Sequence, residues 1–174
     1  LDPVCEKSAY LTRGEEVVVT ASNGAFACVH HVDRQGRQTS GVVPAPSLDF
    51  QGWQEPKLNG PAGLGTWHKP GAGLTIRKGT EDFVIVSGDA SLGPPRYRTG
   101  AIEGPACLAD NDSIAGYEDE HFRGNRAAAA ATKVEEAGCR VRFRILSSRF
   151  LAVDDNDRCG GQGVSFTGLY RKAR

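Results

Sequence analysis

Apolar and polar residues alternate through much of this chain, most clearly near its C-terminus. In CRVRFRIL, Val141, Phe143 and Ile145 alternate with Arg140, Arg142 and Arg144. A period of two over that length predicts a strand with one face in a core and the other toward water. Ser147 and Ser148 interrupt the run, and RFLAV (149–153) resumes it as a second strand. DDNDRCGGQG then collects the Asp, Asn and Gly that loops use for positive φ and for local side-chain caps. VSFTGLYRK closes the chain as a third strand, with Val164, Phe166, Gly168 and Tyr170 in alternation. Cys139 and Cys159 flank this unit. A disulfide between them would close a loop of about 20 residues and contribute roughly 3 kcal/mol in the chain-entropy account.

The same signals recur upstream in shorter pieces. EEVVVTA is a β-branched run, Asn23-Gly24 a hairpin turn, AFACVHHV alternates, and DRQGRQTSG is a polar turn. GVVPAPSL is a short strand ending in prolines, which edge strands tolerate. Residues 51–63 are rich in Pro and Gly without periodicity and read as a linker, with Trp53 expected to pack against a neighbouring domain. Beyond them GTWHK, AGLTIRK, EDFVIVSGDA, RYRTGAIEG, ACLADND and SIAGYE precede the three C-terminal strands. About eight short strands at regular spacing predict an antiparallel up-and-down barrel. One insertion, 117–138, breaks the meander. Asn125 is an N-cap, the alanines after it favour helix and Gly138 is a stop, so a short helix is expected over 126–137. The expected fold is all-β: a small domain over 1–50, a linker over 51–63, and an antiparallel barrel over 64–174 carrying one short inserted helix.

Three resemblances refine this picture. The order of Gly14, the valine strand, Gly24, a strand, a G-R-x-T turn and G-V-V-P-x-x-x-L resembles a bacterial SH3 domain across residues 8–49. Such domains often carry Trp where this chain has Ala25 and Val42, positions that help form a peptide groove. In a barrel of that kind Cys5 and Cys28 lie close enough to pair. The opening GTW and closing F-x-G-x-Y are similar to barrels of the lipocalin and avidin type, which implies architecture only. The C-terminal segment resembles a group of uncharacterised secreted bacterial proteins. The match is carried by Cys139, Leu151, Val153, Asp155, Asn156, Cys159, Gly160, Gly161, Val164, Phe166, Gly168, Tyr170 and Arg171.

Composition narrows the function classes. Lys and Arg together number 21 and Asp and Glu 21, so charge favours neither nucleic acid nor an anionic membrane surface. No apolar run reaches the length of about 18 residues that a membrane-spanning helix needs. Five cysteines without a C-x-x-C pair point to an oxidising compartment and away from zinc or thioredoxin chemistry. If Cys139 pairs with Cys159 and Cys5 with Cys28, Cys107 is the free thiol. The start at LDPVCEK, without Met, is expected of a mature exported chain or of a trimmed one.

Candidate chemistry is sparse. Cys28 and His30 share a strand face, a spacing that suits a core thiol or disulfide partner better than a nucleophile and base. No G-x-S-x-G elbow occurs. Asp155, Asp157 and Gly160 imitate the start of a calcium loop, but Cys159 and Phe166 stand where oxygen ligands are needed. No metal ion, cofactor or catalytic residue is therefore expected. The contact surface is expected at Tyr117, Glu118, Asp119, Glu120, His121, Phe122 and Arg123, in a loop the barrel does not need for closure. Arg96, Tyr97 and Arg98 of PPRYR have the composition of interface residues. The row Arg140, Arg142, Arg144 with Arg149 is a further candidate face. The expected protein is a periplasmic or secreted, non-enzymatic module with a protein partner in the cell envelope, such as an inhibitor or immunity protein. Cell-wall binding through the SH3-like domain and small-ligand carriage in the barrel are the alternatives.

Overall fold

Valine, isoleucine and aromatic runs bounded by Gly, Asn and Asp form eleven strands among the described residues. The structure, a computed structural model, describes residues 11–49, 56–94, 97–109, 112–118 and 138–173. The helix expected over 126–137, Cys5 and Trp53 lie outside these residues. Two compact units divide the chain. One runs to His31 and resumes over Thr39–Asp49, and the other takes Val32–Gln38 and the chain beyond Phe50.

In the first part of the chain, β1 (Val18–Ser22), β2 (Phe26–Val32) and β3 (Gln38–Pro44) form a sheet in that order. Asn23-Gly24 makes the first hairpin as its composition predicts. The Asn23 side chain accepts the Ala25 and Phe26 amides at 3.1 and 2.8 Å, and Gly24 takes φ +87°. Asp33 does the same for the second turn, accepting the Gln35 and Arg37 amides at 2.9 Å each. Cys28 is exposed and free, so it is neither a core thiol nor a disulfide partner here.

The barrel follows: β4 (Gly65–Lys69), β5 (Ala72–Lys78), β6 (Phe83–Leu92), β7 (Arg98–Leu108), β8 (Ile114–Glu118), β9 (Arg140–Ile145), β10 (Phe150–Asp155) and β11 (Gly168–Lys172). Each pairs antiparallel with the next, and β11 closes on β4 through Arg171–His68 and Lys172–Trp67. Inward positions alternate as predicted, and Val141, Phe143 and Ile145 of β9 are buried while the arginines between them face outward. Trp67, Phe143, Phe166 and Tyr170 are fully buried in this core. Phe83, a further aromatic of the barrel sequence, lies on the other face of β6, paired with Cys107.

Three boundaries differ from expectation. RYRTGAIEG and the ACL that follows form one strand, β7, because β6 pairs it continuously from Arg98 to Cys107. Pro105 does not end it, since β8 pairs only with Ala106–Leu108 and leaves that side of Pro105 without a ladder. VSFTGLYRK is strand only from Gly168; Val164 and Phe166 are buried from irregular backbone. The later part of the expected linker is core. Leu58 is fully buried and its amide donates to the Asp112 carbonyl at 2.7 Å. The Trp67 indole donates to the Gly63 carbonyl at 2.9 Å. The Lys172 ammonium binds the Pro61 and Ala62 carbonyls at 2.8 and 2.7 Å while covering the Trp67 ring. Pro and Gly shape this segment, but one leucine and three backbone acceptors fix it to the barrel.

Candidate functional site

By the up-and-down topology, the β4–β5, β6–β7, β8–β9 and β10–β11 connections open on one end of the barrel. The described residues of the two segments singled out in the sequence, Tyr117 and Glu118 at the end of β8 and Tyr97 and Arg98 at the entry to β7, belong to that end. Their residues fare differently. Tyr117 is not an exposed anchor: it sits in β8, turned into the barrel, with its hydroxyl 3.4 Å from the Glu103 carbonyl. Glu118 is paired with Arg140 at 2.8 Å across β8 and β9, so its carboxylate is already engaged within the barrel wall. Asp119, Glu120, His121, Phe122 and Arg123 lie outside the described residues, as does Arg96. Tyr97 is exposed, at 78%. It stands just before β7 with φ +21°, a conformation that bulky side chains rarely adopt. Arg98 is held in place by the Gln162 carbonyl and side-chain oxygen, both at 3.1 Å.

The loop beneath this tip is fixed by Asp155. Its carboxylate accepts the Phe166 amide at 2.5 Å, the Asp157 amide at 3.1 Å and the Ser165 and Thr167 hydroxyls at 3.0 and 3.2 Å. The residues that imitate a calcium loop are thus a capping device, with the carboxylate oxygens occupied by N–H and O–H donors. Asn156 accepts the Arg140 amide and donates to the Gly138 carbonyl, tying the loop to the start of β9. The Cys139–Cys159 disulfide makes the same link covalently. Gly160 then crosses Gly100 of β7 backbone to backbone; a Cβ on Gly160 would lie 2.7 Å from the Gly100 Cα. Lys69 reaches the Ser165 carbonyl at 3.3 Å and lies over the Tyr170 ring. Burial pulls its pKa down, an effect the nearby Asp155 charge opposes. Tyr170 donates to the Phe166 carbonyl at 2.9 Å, and burial, reinforced by Asp155 and Asp89, pushes its pKa far up.

Two arginines of the row lie against acids on neighbouring strands. Arg140 holds Glu118, and Arg142 lies opposite Asp154 of β10.

A second constellation lies on the three-stranded sheet. His30 Nδ1 is 2.7 Å from the Ser40 hydroxyl, and His30 Nε2 is 3.2 Å from the Thr20 hydroxyl. The Thr20 hydroxyl also reaches the Cys28 carbonyl at 3.5 Å. His30 is thus joined to residues on both adjacent strands rather than serving Cys28 on its own strand. On the same sheet Phe26 and Val42 are exposed, at 41% and 65%. Thr20 and Ser40 were not singled out from the sequence. The available signal was the pair of turns: folding the chain about Asp33–Arg37 brings 30 against 40.

Among the described residues no group of three or more His, Cys, Asp or Glu side chains is placed to hold a metal ion. No helix among them is long and apolar enough to cross a membrane. Comparison with protein-family models, curated proteins and solved structures finds no match.

Proposed function

We propose that this protein is a non-enzymatic protein-binding module of the cell envelope, acting as an inhibitor or immunity protein, with the Tyr97 hairpin tip as its anchor. The observation that carries this reading is Tyr97 itself, exposed at 78% beside an immobilised arginine. Tyrosine and arginine dominate binding energy at protein interfaces. A tip whose base is clamped by the Arg98–Gln162 bonds, the Gly100–Gly160 crossing and a disulfide loses little entropy on docking. The disulfide also suits an exported, oxidising location.

Affinity capture from a bacterial envelope extract tests this, comparing the native chain with Tyr97→Ala. The expected result is a protein retained by the native chain and lost by the variant, with both melting at the same temperature. Retention unaffected by Tyr97→Ala would remove the anchor.

Cell-wall peptide binding by an SH3-like N-terminal domain is a second reading, favoured by exposed Phe26 and Val42 on the three-stranded sheet. In the same experiment it predicts recovery of sacculus fragments, with loss on Val42→Ser. Small-ligand carriage is disfavoured by Trp67, Phe143, Phe166 and Tyr170, which are fully buried within the barrel core.

A further inference from the structure

The Thr20–His30–Ser40 row has the geometry of an activated hydroxyl. A nucleophile and its base within about 2.6–3.2 Å, with the base oriented by a third group, is the general signature of nucleophilic catalysis. Here the two spacings are 2.7 Å for Ser40–His30 and 3.2 Å for His30–Thr20. One proton arrangement makes the row productive. In the tautomer protonated on Nε2, His30 donates to the Thr20 oxygen, whose own hydroxyl points to the Cys28 carbonyl at 3.5 Å. His30 Nδ1 is then the acceptor that faces the Ser40 hydroxyl at 2.7 Å.

The backbone supports this arrangement. The β1–β2 register is regular from Val18–His30 to Val19–Val29, then slips between Val19 and Ala21, so that Thr20 is the extra residue of a bulge. Bulges re-aim a side chain out of the normal alternation. That re-aiming lets one hydroxyl reach both His30 and the Cys28 carbonyl. Ser40 is exposed, and Val42, next on its face of β3, offers apolar surface beside it.

We propose that Ser40 is an acyl-accepting nucleophile, with His30 as its general base and Thr20 as a positioning residue, and that it reacts with small activated esters or thioesters. In the step, the Ser40 oxygen bonds to the acyl carbon and its proton passes to His30 Nδ1. The bond from the acyl carbon to the leaving oxygen or sulfur breaks. His30 then returns the proton to that leaving group, so that the products are an O-acyl serine and a free alcohol, phenol or thiol. This is a single acyl transfer, separate from the binding role of the barrel tip.

The test uses the full chain with Cys28→Ala, which removes a competing exposed thiol but keeps the backbone carbonyl that Thr20 needs. Incubation with 4-nitrophenyl acetate, followed by peptide mass mapping, is expected to find acetyl on Ser40 and none there in Ser40→Ala. His30→Phe is expected to slow acetylation about 100-fold, within the range of general-base assistance. Thr20→Val is expected to slow it too, and Thr20→Ser to restore it, a rescue that a purely structural role would not need. Absence of acetyl on Ser40, or an unchanged rate in His30→Phe or Thr20→Val, overturns the assignment.

Discussion

The Asp155 carboxylate and the Phe166 amide, eleven positions apart in the chain, are joined at 2.5 Å. This bond turns the chain after β10 back toward the barrel and buries Phe166 without a strand to carry it. Three more donors converge on the same carboxylate, so its removal leaves several groups seeking partners at once. Asp155→Ala is expected to cost about 2–4 kcal/mol in urea unfolding, in keeping with lost charge-assisted bonds and unsatisfied donors. A loss below about 0.5 kcal/mol, the range of ordinary surface changes, would mean that the loop does not depend on this cap.

The covalent link acts on the same loop. Replacing Cys139 and Cys159 together by Ser is expected to lower stability by about 3 kcal/mol. Alkylation of the native protein is expected to mark Cys28 quickly and Cys107 only after unfolding, since the first is exposed and the second buried. Rapid labelling of Cys139 or Cys159 in the unreduced protein would contradict the bond.

Leu58 separates a tether from a structural part of the barrel. Leu58→Ala is expected to cost about 2–5 kcal/mol, as for other fully buried leucines. A linker residue would show almost no effect in the same denaturation experiment.

Alkaline pH probes Tyr170. Its folded-state pKa is raised by burial and by Asp155 and Asp89, so the folded chain keeps a phenol proton that the unfolded chain loses above about pH 10. Its contribution is therefore complete below pH 10 and lost as pH rises beyond it. Lys69 and Lys172, lowered chiefly by burial, act with the opposite sign, adding stability as pH rises from their folded values toward about 10.4. Comparing stability against pH for the native chain and Tyr170→Phe isolates the tyrosine. The native curve is expected to fall more steeply above pH 10, and parallel curves would refute the assignment.

The strands were legible because period two is written directly into residues such as Val141, Phe143 and Ile145. The disulfide was legible because two cysteines bracket one hairpin unit. What escaped were contacts made by backbone atoms. Leu58 looks like one leucine in a Pro/Gly stretch, and only the carbonyls at Pro61, Ala62 and Gly63, bound by Lys172 and Trp67, make it part of a core. Tyr117 carried the opposite error. It reads equally well as the first residue of a loop or the last inward position of a strand, and pairing with Val141 of β9 decides for the strand. The Ser40–His30 bond was within reach, but only by counting outward from a turn rather than along one strand.

Pairing of Lys172 with Trp67 makes the order of the barrel strands cyclic. The first and last strands are neighbours in the wall, joined as the others are, so the wall has no seam that depends on where the polypeptide was cut. A circularly permuted barrel that keeps 56–63 ahead of β4, with 173 joined to 56 by a flexible peptide and new ends opened at Gly93, keeps every strand pairing intact. It would also set the Tyr97 tip free at a chain end, separating the stability of the wall from the exposure of that side chain.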